Sequence, residues 1–226
     1  MPDDRPYIEL EFTGRVLTQY DSNTLNGTDI VIDYGDGTII NYTGDYSHTY
    51  SSNGTYTIRI YGVTSFGSFC FRECSGLKSV IIPESITSLT AGCFYNCSGL
   101  TSIVIPNSVT SLGYRCFFAC TSLTSMIISD NITNINYECF SNCSSLKDIR
   151  FNWTSSTDIL RYMSNWIDST NSSLAFIIPY DTTSLYEAKG YPTAKLKEVP
   201  HHLFTDVKRL FLNNKEVKSI VVNETD

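Results

Sequence analysis

The chain has 226 residues, 42% of them hydrophobic, which is enough for two or three small domains or for one array of repeats with appended segments. Its 23 acidic residues outnumber the 16 basic ones, and the formal net charge of −7 disfavours contact with nucleic-acid phosphates. No segment contains the roughly 20 consecutive apolar residues that a membrane-spanning helix requires. We therefore expect neither a nucleic-acid partner nor a membrane span.

The segment from residue 7 to residue 62 is predicted to be β structure throughout. Apolar and polar residues alternate in YIELEF, TDIVIDY and TYTIRIYG, and residues that favour turns separate these runs. Because alternate residues of a strand point to the same side, we expect Ile30, Ile32, Ile58 and Ile60 to share one strand face.

Two short motifs in this segment carry a resemblance. Residues 32–38 read IDYGDGT, and residues 47–58 contain SHTY followed by GTYTI. These motifs resemble the PKD family of immunoglobulin-like sandwiches, whose modules usually act as spacers or in adhesion. The resemblance implies a PKD-like β-sandwich at residues 1–62. We expect Asp33 and Asp36 to hold a turn by bonding to their own backbone, because calcium requires more oxygen ligands than two carboxylates supply.

A repeat of 23 residues dominates the middle of the chain. All eight cysteines fall in Cys-Phe-x-x-Cys segments, for which we expect a turn of helix. The cysteine pairs, each 23 residues after the previous one, are Cys70/Cys74, Cys93/Cys97, Cys116/Cys120 and Cys139/Cys143. Each repeat also has a strand of the type Leu-x-x-Ile-x-Ile, and one repeat cannot bury its apolar face alone. The repeats should therefore stack as a solenoid, with Leu77, Leu100, Leu123 and Leu146 aligned.

The repeats at residues 63–180 are similar to the BspA-type leucine-rich repeat family, whose pattern is close to AFxxCxxLxxIxIPxxVxxIG. Four copies are nearly complete, and a degenerate fifth ends in FIIP at residues 176–179. The first cysteine of each pair departs from the family pattern, which usually has Ala there. The resemblance implies a right-handed leucine-rich-repeat solenoid.

Residues 181–226 are predicted to form a C-terminal cap and a β-hairpin. Residues 184–188 resemble the short helix that often closes arrays of this family, so residues 181–196 should cover the end of the core. The runs at 209–212 and 217–222 have the spacing of a hairpin. An isolated hairpin is barely stable in water, so this one would pack on the solenoid or pair with another chain.

The cysteine columns are open to three interpretations. We favour small, buried, free thiols, because free cysteine is readily buried. Stacked repeats lie roughly 4.8 Å apart, so vertical disulfides such as Cys70–Cys93 are also geometrically possible. A zinc site is disfavoured because the Cys pairs diverge along the solenoid axis instead of converging on one point. We expect neither a metal nor a cofactor.

No catalytic motif occurs in the sequence. The three histidines are His48, in the SHTY motif, and His201 and His202, which follow Pro200. No recognised motif places a cysteine or an acid beside His48, so we expect a structural role for it. Because G-x-S-x-G, H-E-x-x-H, P-loop and G-x-G-x-x-G motifs do not occur, we predict that the protein is not an enzyme.

The open face of the stacked strands is the candidate binding surface. Two places in each Leu-x-x-Ile-x-Ile strand point away from the core, and stacking arranges them as two columns. The candidate contacts are Ser79, Ser102, Ser125 and Asp148 in one column and Ile81, Val104, Ile127 and Arg150 in the other. Aliphatic side chains in file on an open sheet often mark a binding site. The alternative is that neighbouring side chains shield them.

The sequence therefore predicts a mainly β protein with short helices, composed of an N-terminal β-sandwich, a solenoid and a C-terminal hairpin. The two resemblances imply an exported recognition or adhesion protein that binds a protein or a glycan. The N-terminus lacks the basic start and apolar core of a secretory signal, so we expect either a cell-surface location or a place on a virion or prophage surface. The alternative function is structural assembly, as a homo-oligomer formed through the hairpin.

Overall fold

The computed structural model describes residues 5–18, 24–129, 131–151, 174–179, 183–187, 194 and 196–199. Within these ranges the regular secondary structure is almost entirely β strand, with one short helix. The hairpin predicted at residues 209–222, together with His201 and His202, lies outside the described residues.

Four strands form the N-terminal part. They are β1 (Tyr7–Leu17), β2 (Leu25–Asp33), β3 (Ile39–Asn41) and β4 (His48–Phe66). All their pairings are antiparallel, in the spatial order β3-β2-β4-β1. Ile32 lies opposite Ile60, and both are buried, as are Ile30 and Ile58. The predicted shared face of these isoleucines is confirmed.

The sandwich expected at residues 1–62 is not confirmed. The second edge of β1 pairs with β5 (Leu77–Ile81), the first strand of the solenoid, so the N-terminal strands belong to the same sheet as the first repeats. Leu10 lies opposite both Ile58 and Val80, and all three side chains are buried. The apolar side of the N-terminal sheet thus continues into the solenoid core and covers the edge that the first repeat would otherwise expose.

Successive repeats add strands to two sides of the solenoid. The strands on the long side after β5 are β7 (Ser102–Val104), β9 (Ser125–Ile128), β11 (Asp148–Phe151), β12 (Ala175–Pro179) and β13 (Leu196–Val199). The strands on the short side are β6 (Ser88–Leu89), β8 (Ser111–Leu112) and β10 (Asn134–Ile135). Pairing between repeats is parallel throughout the described strands. The ladder is interrupted between β7 and β9, which still contact each other.

Leucine residues at one position of each repeat form a buried column. Leu77 is 1% exposed, and Leu100, Leu123 and Leu146 are 0% exposed. The backbone amide of each donates to the carbonyl of the second cysteine of its own repeat, at 3.0 to 3.1 Å. Because these four residues share one environment, the predicted alignment is confirmed.

The Cys-Phe-x-x-Cys segments are not turns of helix, and that prediction was wrong. The residue before each cysteine has a left-handed backbone, with φ between 52° and 61°. These residues are Phe69, Glu73, Gly92, Asn96, Arg115, Ala119, Glu138 and Asn142. The amides of the first six donate to the next repeat, as Asn96 N does to Phe118 O at 2.7 Å. A helix would use such amides within its own turns, so bonding between repeats excludes it.

Two columns of aromatic rings run along these segments. In the buried inner column, Phe71, Phe94, Phe117 and Phe140 stack with ring centroids 5.4 Å apart. In the half-buried outer column, Tyr95 stacks on Phe118 with centroids 5.1 Å apart. Each stacked pair contributes about 0.5–1.5 kcal/mol beyond the burial of its area.

A short helix, α1 (Thr183–Glu187), lies near the far end of the described solenoid. Tyr186 of this helix is fully buried, and its ring centroid is 5.8 Å from that of Phe151. Thr183 donates from N and from Oγ1 to Glu198 Oε1, at 2.9 and 2.6 Å. The helix therefore stands where the sequence predicted one, whereas β13, which carries Glu198, was not predicted.

Candidate functional site

The structure brings the predicted contacts together as two columns on the long side of the solenoid. The pairs in register are Ser79–Ser102, Ile81–Val104, Ser125–Asp148 and Ile127–Arg150. The residues between them in each strand, such as Val80, Met126 and Ile149, are buried. The two columns therefore lie on the outward side of the sheet.

The two columns differ in exposure. Ile81, Val104 and Ile127 are half-buried, whereas Ser102 and Ser125 are exposed. Neighbouring side chains thus shield the aliphatic column in part while it remains at the surface. Exposed serine side chains lie beside it.

The same outward face continues onto the N-terminal sheet, which sequence reasoning missed. Glu9 of β1 lies opposite Ile81 on one side and opposite Arg59 of β4 on the other. Arg59 in turn lies opposite Asp33 of β2. Glu11 extends the serine column in the same way. The alternation in YIELEF indicates that Glu9 and Glu11 point away from the core, but it does not reveal that β1 pairs with the solenoid.

Two ion pairs flank the aliphatic centre of this face. Arg59 Nε lies 3.0 Å from Glu9 Oε2, and Arg150 Nε lies 3.2 Å from Asp148 Oδ1. Their side chains keep between 17% and 39% of their area exposed. Ion pairs accessible to water contribute only about 0–1 kcal/mol to stability, so these pairs orient charge at the surface more than they hold the fold.

Charge divides the outward face into two unlike ends. Toward the N-terminal sheet, the outward positions hold three carboxylates and one guanidinium, from Asp33, Glu9, Glu11 and Arg59. Toward β13, they hold two cations and one carboxylate, from Arg150, Lys197 and Asp148. The face is therefore acidic at one end, uncharged at its aliphatic centre and basic at the other end.

All eight cysteines are buried and unbridged. The thiols of Cys97, Cys120 and Cys143 donate to a carbonyl of the preceding repeat, at 2.9, 3.2 and 3.0 Å. Burial raises the pKa of Cys116 and of Cys143 to about 12. Because the thiolate is the form that reacts with oxidants and binds metals, this environment favours the interpretation of structural, unreactive thiols.

The predicted turn around Asp33 and Asp36 is confirmed. Each carboxylate accepts the amide two residues further on, at 2.9 Å. His48 Nε2 lies 2.8 Å from Asp36 Oδ2, and its ring stacks on Tyr34 with centroids 4.1 Å apart. Hydrogen bonds from His48 and from the backbone lower the pKa of Asp36 to about 2. The residues of the two PKD-like motifs thus meet, while the PKD-like module itself stays a prediction.

In the described part of the chain, no group of three or more His, Cys, Asp or Glu side chains could hold a metal ion. None of the helical segments in this part of the chain has the length and apolar character to cross a membrane.

Solved structures to which the chain is similar include leucine-rich repeat proteins. One is a leucine-rich repeat protein from Bacteroides ovatus, 26% identical, with a TM-score of 0.42, over 59% of this chain and 33% of that one. Another is a leucine-rich repeat protein from T. pallidum, 18% identical, with a TM-score of 0.45, over 66% of each chain. A third is a leucine-rich cell surface protein from Faecalibacterium prausnitzii, 27% identical, with a TM-score of 0.41, over 52% of this chain and 40% of that one. This chain thus spans about a third of the length of the first of these proteins.

Comparison with known protein families identifies the family of this chain. No curated protein matches the chain closely enough to count as a relative. The family described as "BspA type Leucine rich repeat region" matches residues 41–166 in six copies. The match begins before the expected start of the solenoid at residue 63, in the sheet that joins the N-terminal strands to the repeats. Because it covers more than half of the sequence, the chain belongs to the BspA-type leucine-rich repeat family.

Proposed function

We propose that this chain is a non-catalytic recognition or adhesion module that binds a protein or a glycan through the outward face of the strands on its long side. The observation that carries the proposal is the continuity of this face. Ile81 and Val104 lie opposite each other, Ile127 takes the equivalent place on β9, which contacts β7, and an ion pair lies at each end of this file. An apolar centre with a polar rim is the usual anatomy of a protein interface.

The chemistry of the face supports binding more than catalysis. Its hydroxyl groups come from Ser79, Ser102 and Ser125, which lie opposite other strand residues in a regular file. The carboxylate of Asp148 is engaged by Arg150, so it is not free to act as a base toward a serine. The candidate contacts thus lack the paired nucleophile and base that covalent catalysis requires.

We place the protein at a cell surface or on a virion surface. Membership of the BspA-type family supports this location, because the resemblance implies an exported surface protein. The alternative function, assembly into a homo-oligomer through the terminal hairpin, depends on residues outside the described ranges and stays a prediction. The division of the chain into domains at residues 62 and 180 also stays a proposal. The strand β4 crosses the first of these boundaries, because it runs to Phe66.

A charged substitution at the centre of the face tests the proposed function. Ser102 of β7 and Asn134 of β10 are both exposed strand residues, but they lie on opposite sides of the solenoid. Ser102→Glu should reduce binding at least about tenfold, since burying an unpaired charge costs more than the roughly 1.4 kcal/mol that a factor of ten represents. Asn134→Glu adds the same charge and should leave binding unchanged.

The assay is binding of the purified chain to a glycan array and to intact cells. Unfolding transitions followed by circular dichroism check that both variants are folded. Equal binding by the parent chain and both variants contradicts the proposed use of this face. Equal loss in both variants would indicate a general effect of negative charge and would also contradict it.

A further inference from the structure

We propose that the outward face binds a second copy of this chain, face to face, around a two-fold axis parallel to the strands. The inference rests on the proposed function, because it names a partner for the same face. It is carried by the order of residues along the aliphatic column.

The column is nearly symmetric about its centre, with opposite charges at two of its matched positions. Val104 is its centre: Ile81 lies opposite it on β5, and Ile127 takes the equivalent place 23 residues later on β9, which contacts β7. Counted outward from Val104, the matched positions are Ile81 and Ile127, then Glu9 and Arg150, then Arg59 and Ile177, then Asp33 and Lys197. At two of the charged steps, a carboxylate on one side corresponds to a cation on the other.

A two-fold axis parallel to the strands reverses the order of strands in the second copy. Ile81 of one copy then lies over Ile127 of the other, and Glu9 lies over Arg150. Since the axis produces each contact twice, the acidic end of each copy faces the basic end of its partner. The resulting interface uses the same surface on both copies and is closed, as most homodimer interfaces are.

The other axis in the plane of the sheet gives the wrong contacts. An axis perpendicular to the strands would place each strand over itself, so that Glu9 would face Glu9 and Arg150 would face Arg150. Like charges in apposition disfavour association and discriminate against such a complex. Charge therefore selects the axis parallel to the strands.

The contacts of the serine column are also compatible with a two-fold axis parallel to the strands. Ser79 of one copy would lie over Ser125 of the other, and small hydroxyl side chains allow the two sheets to approach. Glu11 would lie over Asp148, whose carboxylate is already paired with Arg150 at 3.2 Å. The basic side chain beside Asp148 thus limits the repulsion at this one unfavourable position.

The dimensions of the face predict a weak complex. From β2 to β13 the column crosses eight steps between neighbouring strands, or about 38 Å at a strand spacing of about 4.8 Å. Such a strip is at the low end of specific protein interfaces, for which a dissociation constant on the order of micromolar is expected. Many copies displayed on one surface would raise the effective affinity for a second surface.

Sedimentation of the full chain and of two charge-reversed variants tests the proposal. The parent chain should form a dimer as its concentration rises through the micromolar range, and salt should weaken the dimer. Glu9→Arg and Arg150→Glu each place like charges at both symmetric contacts, so each alone should weaken association at least about tenfold. An equimolar mixture of the two variants restores opposite charges at both contacts and should regain the dimer. Asn134→Arg, on the short side, is the control.

Each variant loses one of its own ion pairs both alone and in the mixture, so a folding defect would persist in the mixture. Recovery of the dimer in the mixture therefore reports on the interface and not on folding. A chain that is monomeric at all concentrations overturns the inference, and so does a dimer that neither variant weakens. A mixture that fails to regain the dimer also overturns it. The comparison of Ser102→Glu with Asn134→Glu on glycans and cells then decides independently whether the face binds a foreign partner.

Discussion

Truncating Phe117 tests whether the repeats stack as one continuous column. Phe117 is fully buried, and its ring centroid is 5.4 Å from those of Phe94 and Phe140, with interplanar angles of 5° and 1°. Replacing a buried Phe with Ala costs about 3–5 kcal/mol, and each lost ring stack contributes about 0.5–1.5 kcal/mol of specific interaction. Because Phe117→Ala loses two stacks, we expect a destabilisation at the upper end of the range for Phe to Ala, about 4–5 kcal/mol.

The next residue in the chain is the matched control. Phe118 is half-buried, and its ring stacks on Tyr95 at 5.1 Å with the guanidinium of Arg115 5.0 Å from its centroid. Phe118→Ala removes the same atoms but leaves a site that water already reaches, so we expect a loss of about 1–2 kcal/mol. Phe117→Leu, which keeps most of the volume, should cost only about 1 kcal/mol.

Urea unfolding followed by circular dichroism measures these differences. A typical domain has a total stability of about 5–15 kcal/mol, so Phe117→Ala is expected to bring the protein close to unfolding, while Phe117→Leu remains measurable. Equal losses for Phe117→Ala and Phe118→Ala would refute the stacked column, because the two residues would then have equivalent environments.

Two further predictions concern the thiols and the Asp36 turn. The eight buried cysteines should not react with a thiol reagent at pH 8 in the native protein, and all eight should react after unfolding; rapid reaction of several native thiols would contradict their burial. The pKa of Asp36 is lowered from 3.8 to about 2, so its contribution to stability is present above pH 3.8 and is lost as the pH falls toward 2. Asp36→Asn should therefore lose less thermal stability than the parent chain over this interval, and identical declines in the two melting curves would count against the His48 contact.

The 23-residue period was sufficient to predict the solenoid and its register. Leu77 and Leu100 occupy equivalent places in a pattern that one repeat cannot satisfy alone, so their alignment follows from burial of the apolar face. The outward positions of Ser102 and Val104 follow from the alternation of side chains along a strand. Both predictions use patterns that can be read directly from the sequence, namely the repeat period and the alternation of residues along a strand.

Two features depended on pairing between distant segments and were not predictable in this way. The i, i+4 spacing of Cys93 and Cys97 is compatible with a helix, but amides in this segment bond to the next repeat. The pairing of Glu9 with Ile81 joins residues far apart in sequence, and alternation in YIELEF does not specify its partner strand. As a result, the sequence predicted the solenoid half of the candidate face but not its continuation onto the N-terminal sheet.

The central claim is that the N-terminal strands form one sheet with the first strands of the solenoid, so that their outward face continues onto the solenoid. Glu9 and Ile81 lie opposite each other on antiparallel β1 and β5, so Cα atoms at these positions are about 4.5–5.5 Å apart, within reach of a disulfide. The control pair uses Ile127, three strands from Glu9 and about 14 Å away. Under mild oxidation at low concentration, Glu9→Cys with Ile81→Cys should form an internal disulfide detectable by peptide mass spectrometry, and Glu9→Cys with Ile127→Cys should not. A folded protein in which the first pair fails to cross-link would contradict the claim.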